Sequence, residues 1–159
     1  MFLRSLKNAL KGIVYCINNE RNFRVHTVVS LYVLVFSIIF NFSSTQYAII
    51  FITISLVLTT ECINTAIERI LNFTNEGYHP IVKVIKDIAA GAVLITASSA
   101  FCIGIILFFN IEKWIYFFNL LMGNIKMLVL FLLSILISII YIVGIKVKVI
   151  KAIFKRKVT

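Results

Sequence analysis

Three oxygen-bearing side chains, Glu61, Asn64 and Glu68, recur at spacings of three and four residues within a strongly apolar stretch. Because an α-helix turns once in about 3.6 residues, these spacings place two carboxylates and a carboxamide on one helical face. Acids near a bilayer are costly and usually face a bundle interior or a watery cavity, so a functional role is expected. Structural salt bridges remain an open alternative, with candidate partners Arg21, Arg24, Arg69 and Lys86.

The oxygen atoms of this face suit a hard divalent cation. Mg²⁺ commonly takes one or two carboxylates plus the phosphates of a substrate, and Mn²⁺ accepts the same ligands. Phosphoryl transfer needs such a metal, a cation near the phosphates and a carboxylate that accepts the proton of the attacking hydroxyl. The chain offers candidates for each part. It contains no G-x-x-x-x-G-K-[ST], H-R-D or D-F-G element, so neither standard nucleotide-binding architecture is expected.

The composition indicates an integral membrane protein. Of the 159 residues, 61% are hydrophobic and only 14% are charged, whereas soluble domains contain about 25% charged residues. A soluble enzyme, a secreted disulfide scaffold and a free nucleic-acid binder are therefore poor interpretations. The net charge of +10 favours anionic lipid headgroups or an anionic substrate as partners. The three cysteines are isolated in sequence and suggest neither a disulfide framework nor a zinc site.

The hydrophobic pattern predicts an all-α membrane protein with one amphipathic surface helix followed by four membrane helices. Apolar residues at spacings of three and four, interleaved with cations, predict the surface helix over residues 2–22. Long apolar stretches predict the spans, and turn formers between Asn72 and Pro80 predict a loop. The four predicted membrane helices cover residues 25–42, 47–71, 87–109 and 127–145.

The distribution of charge predicts the orientation of these helices. All but Lys113 and Lys126 of the sixteen cations fall before the first span, between the second and third, or after the fourth. By the positive-inside rule, both termini and the middle loop are expected to be cytoplasmic. Five of the six acids fall on that same side, and they are Glu20, Glu61, Glu68, Glu76 and Asp87.

Three ordered blocks of sequence resemble the small prokaryotic diacylglycerol kinase family, which includes the undecaprenol kinases. Residues 61–68, Glu-Cys-Ile-Asn-Thr-Ala-Ile-Glu, resemble the family signature E-x-x-N-[ST]-A-I-E. Residues 19–24 match before the first span, and Tyr78-His79-Pro80 followed by residues 86–92 matches into the third. The resemblance covers roughly residues 3–110.

The resemblance implies a homotrimer in a prokaryotic plasma membrane that transfers the γ-phosphate of MgATP to a lipid hydroxyl. Residues 1–110 would form the family domain, and residues 111–159 would add the fourth span and a basic cytoplasmic tail. By the same resemblance, Glu61 is the general base, Glu20 and Glu68 bind Mg²⁺, and Phe23 and Arg24 lie with Glu61 near the lipid headgroup. The residues implied to bind ATP are Glu20, Asn64, Glu68, Glu76, Gly77, Tyr78, His79, Lys86 and Asp87.

The chain departs from the family pattern at three positions. Asn72 stands where many relatives have Asp, Gly77 stands where they often have Glu, and Asn8 stands where they often have Tyr. The Thr65-Ala66-Ile67 variant, Asn22 and His79-Pro80 resemble the undecaprenol kinase branch more than the diacylglycerol branch. A catalytically silent helical membrane subunit remains an alternative. An ion or solute conduit is disfavoured because residues 88–109 and 127–145 carry no charge.

Overall fold

A computed structural model describes residues 2–74 and 79–144, and within these ranges the chain forms α-helices without any strand. The helices are α1 Phe2–Asn19, α2 Arg21–Ile39, α3 Ser44–Thr74, α4 Pro80–Phe108, α5 Ile111–Gly123 and α6 Ile125–Val143. Four of them, α2, α3, α4 and α6, are long and apolar enough to cross a membrane. The prediction of an all-α protein with four candidate membrane spans is therefore confirmed.

Two of the spanning helices are longer than a bilayer requires. The 31 residues of α3 extend about 46 Å, whereas the hydrocarbon core is about 30 Å thick. The next helix, α4, begins at Pro80, seven residues before the predicted start at 87, because proline fits the first helical position and the His79 side chain caps it. The ends of α3 and α4 that flank residues 75–78 can therefore extend beyond the membrane. The predicted basic tail after residue 145 lies outside the described residues.

The short helix α5 was not predicted from the sequence. The Asn110 side chain accepts a hydrogen bond from the Lys113 amide at 3.0 Å, which caps the first turn of α5. The Asn124 side chain accepts from the Lys126 and Met127 amides and caps α6 in the same way. Two asparagine caps thus divide the segment after α4 into two separate helices.

An aromatic cluster joins α5 to the ends of α2, α3 and α4. Phe40 is 1% exposed, and its ring centroid lies 5.2 Å from that of Trp114, while the Phe42 and Phe108 centroids are 4.8 Å apart. The Lys113 ammonium donates to the Phe40 carbonyl and lies 5.8 Å from both the Phe40 and the Phe42 ring centroids. Aromatic packing and cation–π contact therefore fix α5 against this end of the helix bundle.

Helix α6 packs on α2 through polar groups as well as apolar ones. The Tyr32 hydroxyl lies 3.0 Å from the Ser134 hydroxyl and 3.2 Å from that of Ser138, which is one helical turn further along α6. Hydrogen bonds between membrane helices contribute about 0.6 to 2 kcal/mol each. Tyr32 therefore helps to hold the fourth membrane helix against the first.

Replacing Tyr32 with phenylalanine should lower the free energy of unfolding by about 1 kcal/mol, since the ring remains but the contacts with the two serines are lost. Unfolding of the purified protein in mixed micelles, followed by circular dichroism, would measure the change. Tyr116→Phe is the matched control because Tyr116 is 62% exposed. Equal stability of the two variants would contradict a role for Tyr32 in α6 packing.

Candidate active site

The polar face predicted on α3 is buried in the folded chain. Glu61 is 2% exposed, Asn64 is 8% exposed and Thr65 is 4% exposed. Within the described residues, Glu61 Oε2 and Asn64 Oδ1 are buried and accept no hydrogen bond. Buried polar atoms normally have partners, and leaving one unpaired costs about 1 to 3 kcal/mol. Two such atoms three residues apart on one face are typical of a site that completes its hydrogen bonds with a ligand.

The second carboxylate of this face is oriented by the carboxamide. Asn64 Nδ2 donates a hydrogen bond to Glu68 Oε1 at 3.1 Å, which directs the Asn64 side chain toward the next turn of α3. Glu61 also lies within electrostatic range of both Glu20 and Glu68. Three carboxylates from two parts of the chain are thus brought into one region.

Glu20 reaches this region from the junction between α1 and α2. Its backbone is extended, with φ −110° and ψ 117°, and it is the N-cap residue of α2. Arg69 Nη2 donates to Glu20 Oε1 at 3.0 Å, and the Arg69 guanidinium lies 5.2 Å from the centroid of the Tyr15 ring. Arg69, one of the candidate salt-bridge partners considered for the acids of α3, therefore pairs with Glu20. Within the part of the chain that the structure describes, neither Glu61 nor Glu68 pairs with a cation.

The donor set fits a hard divalent cation that also takes oxygens from a substrate. Residues 2–74 and 79–144 contain no group of three or more His, Cys, Asp or Glu side chains placed to hold a metal ion by themselves. Glu20 and Glu68 would supply two carboxylates, and the Asn64 carbonyl oxygen, which accepts no hydrogen bond within the described residues, is available to a bound substrate. Mg²⁺ is typically bound through one or two carboxylates, with waters and phosphates completing its octahedron.

The start of α4 brings a cation toward the end of α3. Lys86 Nζ donates to Asn72 Oδ1 at 2.7 Å, so one of the positions that departs from the family pattern contacts a predicted ATP-binding lysine. His79 caps α4 by accepting a hydrogen bond from the Ile81 amide at 3.3 Å, and Asp87 is exposed on the same helix. The predicted ATP-binding residues Glu76, Gly77 and Tyr78 lie outside the described residues.

A groove runs between α1 and α3 next to the Arg69–Glu20 salt bridge. Its volume is about 610 Å³, and most of its wall is apolar. Arg69, the partner of Glu20, forms part of its lining. The groove is lined by Ala9, Gly12, Ile13, Tyr15 and Cys16 of α1 and by Cys62, Thr65, Ala66 and Arg69 of α3.

The two residues predicted to lie near a lipid headgroup, Phe23 and Arg24, both pack against other parts of the chain at the start of α2. Phe23 is 4% exposed and belongs to the packed interior at the start of α2. Arg24 is partly buried, and its guanidinium donates to the backbone carbonyls of Ile17 and Ile142 at 3.1 and 3.2 Å. The contact with Ile142 was not predicted, because no local pattern connects residues that lie 118 positions apart.

Comparison with known proteins assigns the family. The family model described as "Prokaryotic diacylglycerol kinase" matches residues 7–108, which include most of α1, all of α2 to α4 and every site residue named above except Ile142. The chain is 35% identical over 103 residues to a diacylglycerol kinase of Synechocystis sp., covering 64% of this chain and 59% of that relative. It is also 35% identical over 107 residues to an undecaprenol kinase of Bacillus subtilis, covering 67% of this chain and 87% of that relative. The chain therefore belongs to the prokaryotic diacylglycerol kinase family, whose name and relatives indicate a lipid kinase.

Proposed function

We propose that this chain transfers the γ-phosphate of MgATP to the hydroxyl of a membrane lipid, with Glu61 as the general base. The observation that carries this proposal is the buried Glu61 carboxylate, whose Oε2 accepts no hydrogen bond from residues 2–74 or 79–144 and lies in the same region as the Asn64–Glu68 pair. The family match includes all three residues. Their burial favours a reaction shielded from water, in which the acceptor is a lipid and not a water molecule.

Glu61 would act on the lipid hydroxyl. An alcohol is a weak nucleophile until a base removes its proton, and a carboxylate within hydrogen-bonding reach can accept that proton as the new O–P bond forms. Glu61 Oε2 is available for this task because it accepts no hydrogen bond within the described residues. Asn64 holds Glu68 through its Nδ2 and keeps its own Oδ1 for a donor from the bound substrates.

Glu20 and Glu68 would hold the magnesium ion. When bound, the metal neutralises negative charge on the ATP phosphates. Arg69 already engages one oxygen of Glu20, so this arginine positions the carboxylate while leaving its second oxygen as a ligand. Lys86 adds positive charge at the start of α4. Lys86 would complete the ATP site together with His79 and Asp87. By family resemblance, Glu76, Gly77 and Tyr78 would also belong to this site.

We favour undecaprenol over diacylglycerol as the lipid. The two relatives, named for these two activities, are equally similar in identity, but the match covers 87% of the undecaprenol kinase and 59% of the diacylglycerol kinase. The Thr65-Ala66-Ile67 sequence next to Asn64 supports the same choice. Phe23 and Arg24 would lie near the lipid headgroup at the cytoplasmic end of α2.

We also propose that the protein is a homotrimer in the plasma membrane of a prokaryote, with both termini in the cytoplasm. The concentration of cations before α2, around the start of α4 and after α6 supports this orientation, as does the need for cytoplasmic ATP. Anionic headgroups of the inner leaflet would then contact the basic residues of α1, where Arg4, Lys7 and Lys11 are exposed.

Phosphate transfer in mixed micelles that contain equal amounts of undecaprenol and diacylglycerol tests the lipid preference. With γ-labelled MgATP and purified protein, we expect label predominantly in undecaprenyl phosphate. Predominant labelling of phosphatidic acid would reverse the choice of lipid and retain the kinase activity. If a folded protein labels neither lipid, the proposed function is wrong and the silent-subunit alternative is favoured.

A further inference from the structure

Arg24 lies where the C-terminal ends of two helices meet. Its Nη1 donates to the carbonyls of Ile17 and Asn18 in the last turn of α1, at 3.1 and 3.4 Å. Its Nε donates to the carbonyl of Ile142 in the last turn of α6, at 3.2 Å. One side chain on α2 therefore bonds to the ends of α1 and α6 at the same time.

Helix C-termini are suitable partners for this cation. The last four carbonyls of an α-helix have no intrahelical partner, and the helix dipole places partial negative charge there. A guanidinium carries five donors in a fixed fork, so it can serve two such ends at once, whereas an ammonium is a single point charge. The contact thus satisfies carbonyls that would otherwise need water at a membrane boundary.

The end of α6 is shaped to accept this side chain. Gly144 caps α6 in the left-handed conformation, with φ +73°. A Cβ atom at this position would lie 2.8 Å from Arg24 Nη2, so any other residue would both strain the backbone and displace the guanidinium. Helix α6 lies outside residues 7–108, whereas Arg24 and the C-terminal end of α1 lie inside them. A segment beyond the family match therefore contacts the family domain next to its predicted site.

The α1–α2 junction has few other supports. Cys16 is the only buried residue of α1, so this helix has little interior packing of its own. Glu20 follows Asn18 by two residues, so the direction of the Glu20 side chain depends on how the end of α1 is held. The remaining contacts of this end include the Arg69–Glu20 pair, and Cys16 and Cys62 face the same groove between α1 and α3.

We propose that Arg24 and the C-terminal turn of α6 together brace the α1–α2 junction, so that the fourth membrane helix positions Glu20 for binding of the metal–nucleotide substrate. The role assigned to Glu20 rests on the proposed function, but the brace itself is a structural contact that can be tested without catalysis. Arg24 and Gly144 are accordingly positioning residues for this site.

Gly144→Ala tests the brace without changing any residue that is proposed to bind the metal or ATP. The rate of disulfide formation between Cys16 and Cys62 in membranes reports how α1 is held against α3. The measurement uses a Cys102→Ser background, which leaves only these two cysteines. Diamide oxidises the two thiols to a disulfide and takes up their two protons and two electrons to become a hydrazine. We expect trapping to slow by about threefold or more in Gly144→Ala, because the thiols meet less often once the end of α1 is released.

Kinetics provide the second measurement. We expect the KM for MgATP to rise by about fivefold in Gly144→Ala while kcat changes less than about twofold, since the brace positions a ligand and does not react. Gly123→Ala is the matched control, because a Cβ atom there meets nothing within 4 Å. Tyr32→Phe is the control for lowered stability, because its bonds to Ser134 and Ser138 lie away from Gly144, and it should lower the free energy of unfolding without raising this KM.

The trapping and kinetic results together distinguish failure of the proposed brace from failure of the proposed lipid kinase function. If trapping slows only in Gly144→Ala but no variant, including wild type, phosphorylates a lipid, the brace stands and the proposed function fails. If lipid is phosphorylated but Gly144→Ala matches Gly123→Ala in both trapping and KM, the brace is wrong. A rise of KM without slower trapping would also overturn it, because the effect would not pass through α1.

Discussion

Glu61→Gln should reduce lipid phosphorylation by about 10²- to 10⁴-fold, the range that general-base catalysis contributes. Glutamine keeps the volume and one carbonyl oxygen of the 2% exposed side chain but cannot take up the proton of the lipid hydroxyl. Because the substitution removes a buried charge without creating a cavity, the fold should be retained. The measurement is the turnover number with saturating MgATP and lipid, together with the helical signal in circular dichroism.

Glu112→Gln is the matched control for this substitution. Glu112 is exposed in the first turn of α5, and in the proposed orientation it would lie on the opposite side of the membrane from Glu61. We expect this variant to retain wild-type turnover. A Glu61→Gln protein with turnover within about twofold of wild type would exclude Glu61 as the base, since a base of this kind contributes at least about 100-fold.

Glu68→Gln and Glu20→Gln should each raise the Mg²⁺ concentration required for half-maximal activity by about tenfold or more, because each removes a negatively charged ligand. High Mg²⁺ should restore part of the activity of these variants, whereas it should not restore that of Glu61→Gln. The measurement is a titration of Mg²⁺ at a constant concentration of ATP that is saturating for wild type.

The two ligand variants should differ in one further respect. Glu20→Gln also weakens the bond from Arg69, so the α1–α2 junction should loosen and the trapping of Cys16 with Cys62 should slow. Glu68→Gln leaves that junction intact and should trap at the wild-type rate. An unchanged Mg²⁺ requirement in both variants would show that these carboxylates do not bind the metal.

The sequence is informative about features set by short-range periodicity. The spacing of Glu61, Asn64 and Glu68 predicts a shared face, and all three lie on one face of α3, with Asn64 bonded to Glu68. Long apolar stretches predict four spans because a bilayer requires a minimum helix length, and four helices of that kind are present in the described residues. These features depend on residues that are neighbours in sequence.

Contacts between distant segments could not be predicted in the same way. The Arg69–Glu20 bond joins residues 49 positions apart, and Arg24 reaches Ile142 across 118 positions. For Glu20 the sequence offers several equivalent cations, and only packing of α3 against the α1–α2 junction selects Arg69. Cys16 and Cys62 look isolated in sequence for the same reason, although α1 and α3 bring both residues into the lining of one groove.

The division of the chain after α4 depended on weak local signals. Two asparagines cap α5 and α6, but an asparagine before a hydrophobic stretch is equally typical of a loop. Residues 111–123 form a helix because the aromatic cluster around Phe40 and Trp114 packs α5 against the bundle. Signals of this kind become informative only when the partner helix is known.

Transfer of labelled γ-phosphate from MgATP to undecaprenol or diacylglycerol by the purified chain, compared directly with Glu61→Gln, tests the central claim most directly. Label in the lipid with the wild-type protein, and its loss in a folded Glu61→Gln protein, is the predicted result. Equal labelling by the two proteins would place the base elsewhere. No labelling of either lipid by a folded wild-type protein would contradict the assignment of this site as a lipid kinase centre.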